Sequence, residues 1–430
     1  MQSGNKMEVV ELVETMRNIC RELHAGGRQI RFVPTMGSLH SGHTSLVKCA
    51  ASLTVAPFAS HSDASKHENS NNNNNRNMDT SVPQLSSWRR QQNSGQNWTG
   101  DKNNFAVIVS IFVNPIQFNS RQDFLNYPNN LAEDIEILRQ TRLVDYVFVP
   151  HCSDILNTSD QFGHSTATAT TKSQPLTGRL CRVAPPNSPM ALDLEGRSRP
   201  GHFEGMLTIV CKLFNIVQPN WAFFGEKDYQ QLLLVSKMVD DLSMMTRICP
   251  VETVREQDTN LPLSSRNSRL NLRQRQSGAI MFDILHNAKQ ILEQSCRQQW
   301  VGATASYRAQ KIDLDLTILS SMLATQSLFG LNDLRVAGGT KTGGDPDSSP
   351  LKDGSCNVDV DYLELRCAKD LTVIQFDESL KLYDCQLGCV KHKRKNSPAN
   401  VLEARLLISV IVANTRLLDN IGVKLNLLDE

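Results

Sequence analysis

Residues 30–43 read IRFVPTMGSLHSGH. The first half is a β-branched and aromatic run of strand length. The second half turns to Gly37, Ser38, Ser41 and Gly42 around two histidines, His40 and His43. TSLVKCAASL follows with the pattern of the first turns of a helix. A buried strand that gives way to a glycine-containing loop at a helix start is a building unit of doubly wound parallel sheets. Such sheets bind ligands at the carboxyl ends of their strands. This stretch therefore predicts both the fold and the place of the chemistry.

The pattern recurs. AVIVSIFVNP (106–115), DYVFVP (145–150) and WAFFG (221–225) read as further buried strands. Between them Leu131, Ile135 and Leu138 fall at i, i+4 and i+7. Met206, Ile209, Val210, Leu213, Phe214 and Val217 hold the helical period until Pro219 stops it. Strands alternating with amphipathic helices predict an α/β fold whose parallel sheet is covered on both faces. The loops PTMGSLHSGH, NPIQF and GEKDYQQ each follow a strand, so the fold should bring them to one crevice.

After about residue 254 the pattern changes. LRQRQSGAIMFDILHNAKQILEQ is helical, while residues 357–366, ending in VDVDYLELR, and VLEARLLISVIVANTRLL (401–418) suggest antiparallel strands of a smaller α+β domain. The expected domains are 1–253 and 254–430. Segments of about 57–104, with its NSNNNNNRN, and 157–190 read as polar insertions, and 337–357 and 389–400 as smaller loops. GGTKTGG lacks the Gly-Lys-Ser/Thr order of a phosphate loop and reads as a linker.

Composition narrows the function classes. Lys plus Arg (45) balances Asp plus Glu (44) over 430 residues, which predicts no nucleic-acid partner and no anionic membrane surface. No run reaches the roughly 18–20 apolar residues of a membrane span. The opening MQSGNKMEVVELVETMR lacks the apolar centre of a secretory leader. A soluble, cytoplasmic protein is expected, with idle sequons at Asn97 and Asn157 and its 11 cysteines reduced. Cys385, Cys389 and His392 resemble half a zinc site, but no second ligand pair stands at a matching spacing.

Imidazoles at i and i+3 of a helix start can face one side, beside unpaired backbone N–H groups and the positive end of the helix dipole. His40 and His43 so placed would serve an anion, and Gly37 and Gly42 would let a phosphate or base approach the main chain. Lys227 of GEKD suits a phosphate, and an acid of the same turn suits ribose hydroxyls or a magnesium-bound water. LSSRN (263–267) offers two hydroxyls and an arginine for a triphosphate. Gln117 and Gln231 each follow a strand end, where an amide can serve a substrate bearing both hydroxyl and carboxylate.

PTMGSLHSGHTSLV, SIFVNPIQF, RPGHFEGMLTIVCKLFNIVQP, FFGEKDYQQ and VRE followed by LSSRN, in this order and with DYLELR and TRLLDN later, carry a resemblance. The chain resembles the pantothenate synthetase (pantoate–β-alanine ligase) family of the HxGH nucleotidylyl transferase superfamily, over its whole length apart from the insertions. The resemblance implies a Rossmann-like parallel-sheet domain with a smaller α+β C-terminal lid domain, usually a homodimer. It implies ATP-dependent joining of pantoate to β-alanine through a pantoyl adenylate.

Carried over by residue, the ATP loop falls on Met36, Gly37, Ser38, Leu39, His40, Ser41, Gly42 and His43, with His43 as proton donor and His40 its partner. Gly225, Glu226, Lys227 and Asp228 form the second nucleotide segment, with Lys227 on the phosphates. Val254 meets adenine, and Leu263, Ser264, Ser265 and Arg266 clamp the triphosphate. Gln117, Gln231 and Asn114 line the pantoate and β-alanine pocket, and Asp134 is assigned to Mg2+. Two departures stand out. Tyr127-Pro128-Asn129 replaces the family's YPR, and VREQDTNLPLSSRN is one residue longer than usual and carries Pro262. A transferase acting on another acid and an inactive nucleotide-binding scaffold are the alternatives.

Overall fold

The protein is represented by a computed structural model that describes residues 7–53, 104–156, 180–298, 334–336, 358–374 and 400–427. Its strands are β1 Glu8–Val10, β2 Gln29–Thr35, β3 Phe105–Ile111, β4 Tyr146–Phe148, β5 Trp221–Gly225 and β6 Arg247–Val251, then β7 Leu334–Val336, β8 Val358–Cys367, β9 Asn400–Val412 and β10 Thr415–Leu427. The helices are α1 Val13–Ala25, α2 Ser41–Ser52, α3 Arg121–Leu125, α4 Leu131–Thr141, α5 Cys152–Leu156, α6 Pro189–Leu192, α7 Glu195–Ser198, α8 His202–Val217, α9 Tyr229–Asp241 and α10 Leu272–Gln298. No helix among the described residues is long and apolar enough to cross a membrane.

The first six strands form one parallel sheet in the order β1-β4-β3-β2-β5-β6. From β2 the chain steps to β3 on one side, and later to β5 on the other. The switch point therefore lies beside β2, where a crevice opens at the strand ends. Alternate residues of each strand feed opposite faces. Ile30, Phe32, Ala106 and Ile108 join a core with α1, α8 and α9, while Val33, Val107 and Val109 join another with α2 and α4. The four expected strands are present. β1 and β6, at the edges, were not anticipated, because three residues and the mixed RICPV carry no strand pattern.

The second sheet runs β10-β9-β8-β7, with β8, β9 and β10 antiparallel and β7 parallel to β8. The expected run 401–418 is split by a two-residue hairpin turn, with Ala413 at φ 45 and Asn414 at φ 64. That is the sense of turn that matches strand twist. One face of this sheet packs on α10 through Ile280, Met281 and Ile284. A bulge between Val360 and Tyr362 inserts Asp361 into β8. Beyond it Leu365 and Cys367 still face α10, while Tyr362 joins the core of the first domain.

Of the expected insertion 157–190, the described end packs Leu180 and Val183 on the first core, and the Val183 N–H donates to Thr208 Oγ1 at 3.0 Å. The rest of that segment, 57–103, 337–357, 389–399, the GGTKTGG stretch, both sequons and Cys385, Cys389 and His392 lie outside the described residues.

Candidate active site

The loop after β2 reverses through Gly37 at φ 79 and Ser38 at φ 52. Asp134, in the first turn of α4, holds it. Its Oδ2 accepts the Ser38 N–H at 2.9 Å and its Oδ1 the Leu39 N–H at 2.7 Å. A Cβ on Gly37 would come within 2.8 Å of Asp134 Oδ2, and the positive φ compounds the restriction. Asp134 is only 2% exposed and both its oxygens accept from backbone, so it shapes the loop. Burial nevertheless pushes its carboxyl above the usual range, against the pull of the two N–H bonds.

α2 begins with a reciprocal pair. The Gly42 N–H donates to His40 Nδ1 at 3.1 Å, and the His40 N–H donates to His43 Nδ1 at 3.3 Å. A backbone N–H can only donate, so each Nδ1 is a lone-pair acceptor and each neutral ring carries its proton on Nε2. Burial, then Lys227, lowers the His40 pKa to about 4, and burial, then His40 and Lys227, lowers that of His43 to about 3, with Asp228 opposing in both. The ring centroids lie 4.1 Å apart. Sequence and local structure thus give two neutral Nε2–H donors at the positive end of a helix.

After β3, Asn114 caps a 3-10 turn over Pro115–Gln117, its Oδ1 accepting the Ile116 N–H. Asn114 Nδ2 donates to Gln117 Oε1 at 2.9 Å and to the Gly205 carbonyl at 3.1 Å. Gln117 Nε2 reaches Met36 Sδ at 2.8 Å. Gln231, half-buried in the first turn of α9, has an amide with no hydrogen bond among the described residues. Its neighbour Gln230 spends its own on the Met190 and Asp193 carbonyls and the Glu195 N–H.

Residues not singled out from the sequence complete this wall. His202 Nδ1 donates to the Gln117 carbonyl at 2.8 Å, which leaves Nε2 as an acceptor facing an Arg199 guanidinium nitrogen at 3.2 Å. Burial, then Arg199, lower the His202 pKa to about 4, and burial, then Arg266, lower that of Arg199 to about 10. Asp123 accepts from Arg269 at 2.9 Å and pairs with Arg266 at 3.6 Å. The only signal was the block RPGHFEG, whose polar residues look ordinary one by one.

In the GEKD turn, Lys227 Nζ lies 3.1 Å from Asp228 Oδ1. Burial raises the Asp228 carboxyl, but Lys227 and Arg266 outweigh it and hold it below the usual range. Glu226 turns inward and pairs with Arg405 at 3.0 Å, both nearly fully buried. The longer clamp segment closes as a hairpin. The Glu256 N–H donates to the Leu261 carbonyl and the Leu263 N–H to the Val254 carbonyl, and Asn260 turns at φ 57. Pro262 sits opposite Arg255 in a bridge. Residues 257–259 turn at the hairpin tip, and the 263–266 segment reaches the histidine loop. There Ser264 Oγ accepts the Arg266 N–H, and Ser265 Oγ donates to the Ser38 carbonyl at 3.1 Å.

A doubly wound sheet whose switch-point loops gather two imidazole donors, a lysine, arginines and uncharged amides around a helix start defines a nucleotide-using enzyme for a small polar acid. The Pantoate-beta-alanine ligase family model matches residues 8–60 and 99–422. The pantothenate synthetase of Thermodesulfovibrio yellowstonii is 36% identical over 288 residues, 67% of this chain and 77% of that one. The crystal structure of pantothenate synthetase from Thermus thermophilus superposes with a TM-score of 0.57 at 25% identity, covering 96% of this chain and 99% of that one. The pantoate-beta-alanine ligase of Francisella tularensis, complexed with beta-gamma ATP and beta-alanine, gives 0.50 at 26% identity, over 96% and 97%. The chain belongs to the pantoate-beta-alanine ligase family. Its activity is the ATP-dependent ligation of pantoate and β-alanine.

Proposed function

We propose that the ligation runs in two steps in this crevice. A pantoate carboxylate oxygen attacks the α-phosphorus of ATP, the bond to the β-phosphate bridge breaks, and pyrophosphate leaves. The amine of β-alanine then attacks the acyl carbon of pantoyl adenylate, AMP departs with the acyl–oxygen electron pair, and the nitrogen loses a proton to give pantothenate. A carboxylate is a poor acyl donor until AMP becomes its leaving group, which is why ATP is consumed.

The observation that carries this reading is the fixed tautomer of His40 and His43 beside Lys227. Neutral Nε2–H donors in place before reaction can follow the charge that builds on the α-phosphate without reorganising. His43 accordingly acts as a hydrogen-bond donor, since a ring with a pKa of about 3 holds no spare proton at neutral pH. The Met36–His43 loop and Gly225 line the nucleotide, Val254 meets adenine, and Ser264, Ser265, Arg266 and Lys227 take the phosphates. Gln117 and Gln231 take the hydroxyl and carboxylate of pantoate. Asn114, with its amide already spent on Gln117 and Gly205, orients Gln117.

Among the described residues no group of three His, Cys, Asp or Glu could hold a metal. Magnesium, which often keeps waters and binds chiefly through substrate phosphates, would therefore arrive on ATP, with Asp228 the carboxylate beside it. Residues 1–253 would form the nucleotide and pantoate domain and 254–430 the lid. The protein would work in the cytoplasm as a homodimer joined through the first domain.

The test is ATP–pyrophosphate exchange by purified protein with pantoate, with β-alanine alone, and with no acid. Exchange is expected only with pantoate. Exchange with β-alanine alone, or none with pantoate from protein that binds ATP, would overturn the reading.

A further inference from the structure

The two nucleotide segments of the crevice lie far apart in sequence, yet one strand of the second sheet grips both. On β10, odd-numbered Leu417 and Val423 face α10, while Arg416 reaches across to Glu195 of α7. Asp419 and Asn420 are consecutive, so the pleat sends them to opposite faces.

Asp419 turns towards the clamp hairpin. Its Oδ2 and Oδ1 accept from the two terminal nitrogens of Arg255 at 2.7 and 2.8 Å, and its side chain is 0% exposed. Arg255 follows Val254 and stands opposite Pro262 at the base of that hairpin. Asn420 turns the other way, to the GEKD turn. Its Nδ2 donates to the Glu226 carbonyl at 3.0 Å and to the Lys227 carbonyl at 2.8 Å. Its Oδ1 accepts from Arg405 Nε at 2.7 Å, and the same guanidinium pairs with Glu226.

We infer that Asp419 and Asn420 are positioning residues forming one latch, which sets the Lys227 backbone and the 263–266 clamp in a common frame and so builds the triphosphate subsite. Both side chains are spent on protein groups. Both act through what they hold, Asn420 through the two carbonyls that fix the direction of Lys227, and Asp419 through the fork that fixes the hairpin. A latch of this kind makes the second domain part of the ATP site. The amide pocket around Gln117 belongs to the loop after β3 and to α8, and among the described residues it has no bond to the latch. The inference rests on the reading of this crevice as the ATP site.

The test compares the full-length wild type with Asn420→Asp and Asp419→Asn. Magnesium ATP binding is read by titration with no acid present, alongside melting temperature and the KM for pantoate in exchange. Asn420→Asp sets a carboxylate against two carbonyls and should weaken ATP about tenfold or more. Asp419→Asn, which keeps the shape and loses the charge, should have a smaller effect of the same sign, with the pantoate KM unchanged in both. A lower melting temperature with unaltered ATP affinity in the folded variants would make these residues merely structural and overturn the latch. If Asn420→Asp does not fold, Asp419→Asn decides alone. Absence of exchange from wild type that binds ATP counts against the ligase reading and leaves the latch to be judged by the binding data.

Discussion

A histidine at a helix start is ordinary, whereas two that each accept a backbone N–H at Nδ1, His43 from His40 and His40 from Gly42, have no freedom of tautomer left. Replacing His43 by Ala should lower pantoate-dependent exchange on the order of 100-fold or more, because a donor to the developing phosphate charge is lost. The fold should lose only about 1 kcal/mol with the cap, so an unchanged circular dichroism spectrum with near-normal exchange would remove His43 from the chemistry. A second expectation follows from pH. His40, His43 and His202 have folded pKa values of about 4, 3 and 4, below the 6.5 of an exposed imidazole. The unfolded chain therefore binds more protons between these values. The stability held by the neutral rings is full above pH 6.5 and declines as pH falls towards 4 and 3. Melting temperatures recorded from pH 7.5 to 4.5 should fall, and His202→Gln should flatten the decline; a flat wild-type curve would contradict the burial of these rings. The glycines and histidines of 34–43 announced this site in the sequence. The role of Asp134 was not legible, because LAED at a helix start gives no sign that a distant loop needs two acceptors there.

At the scale of elements, the strand-end loops were legible because buried β-branched runs and period-3.6 helices are dictated by burial on both faces of a parallel sheet. Contacts between elements were not. Gly205 illustrates this, since in sequence it is one glycine inside a helical pattern. In the fold, a Cβ there would stand 2.3 Å from the Ile116 carbonyl, so α8 can touch the 115–117 turn only because residue 205 has no side chain. Gly205→Ala must push that turn away, and with it the Asn114–Gln117 pair and the carbonyl held by His202. Overpacking of this kind costs about 1–3 kcal/mol. Chemical denaturation should register that loss, and the KM for pantoate should rise while the affinity for ATP, held by other loops, stays close to wild type. An equal loss of both would mean that the turn does not serve the acid pocket separately.

On the scale of the whole molecule, the second sheet presents an apolar face to α10 and a charged face to the first domain, and only the apolar one follows from periodicity. Nothing in the periodicity assigns partners to Arg366, Arg405 and Arg416, yet Arg366 pairs with Asp193, Arg405 with Glu226, and Arg416 with both Glu195 and Asp361. The bulge in β8 aims Asp361 at Arg416 and Ser198, and Tyr362 donates to Glu195 at 3.2 Å. Glu195 is 5% exposed, so its charge depends on Arg416 for compensation. Arg416→Met should therefore leave a buried carboxylate without its cation, a loss of about 3–5 kcal/mol. Adding Glu195→Gln removes that carboxylate and should recover a large part of the loss, so the double variant should be more stable than Arg416→Met alone. Urea denaturation of the wild type, both single variants and the double variant gives the coupling directly. Additive effects would mean that the charged face is held by shape alone. A large coupling would mean that removing one cation loosens the seam that brings Asn420 to the Lys227 turn, so the same variants should lose affinity for ATP in the order in which they lose stability.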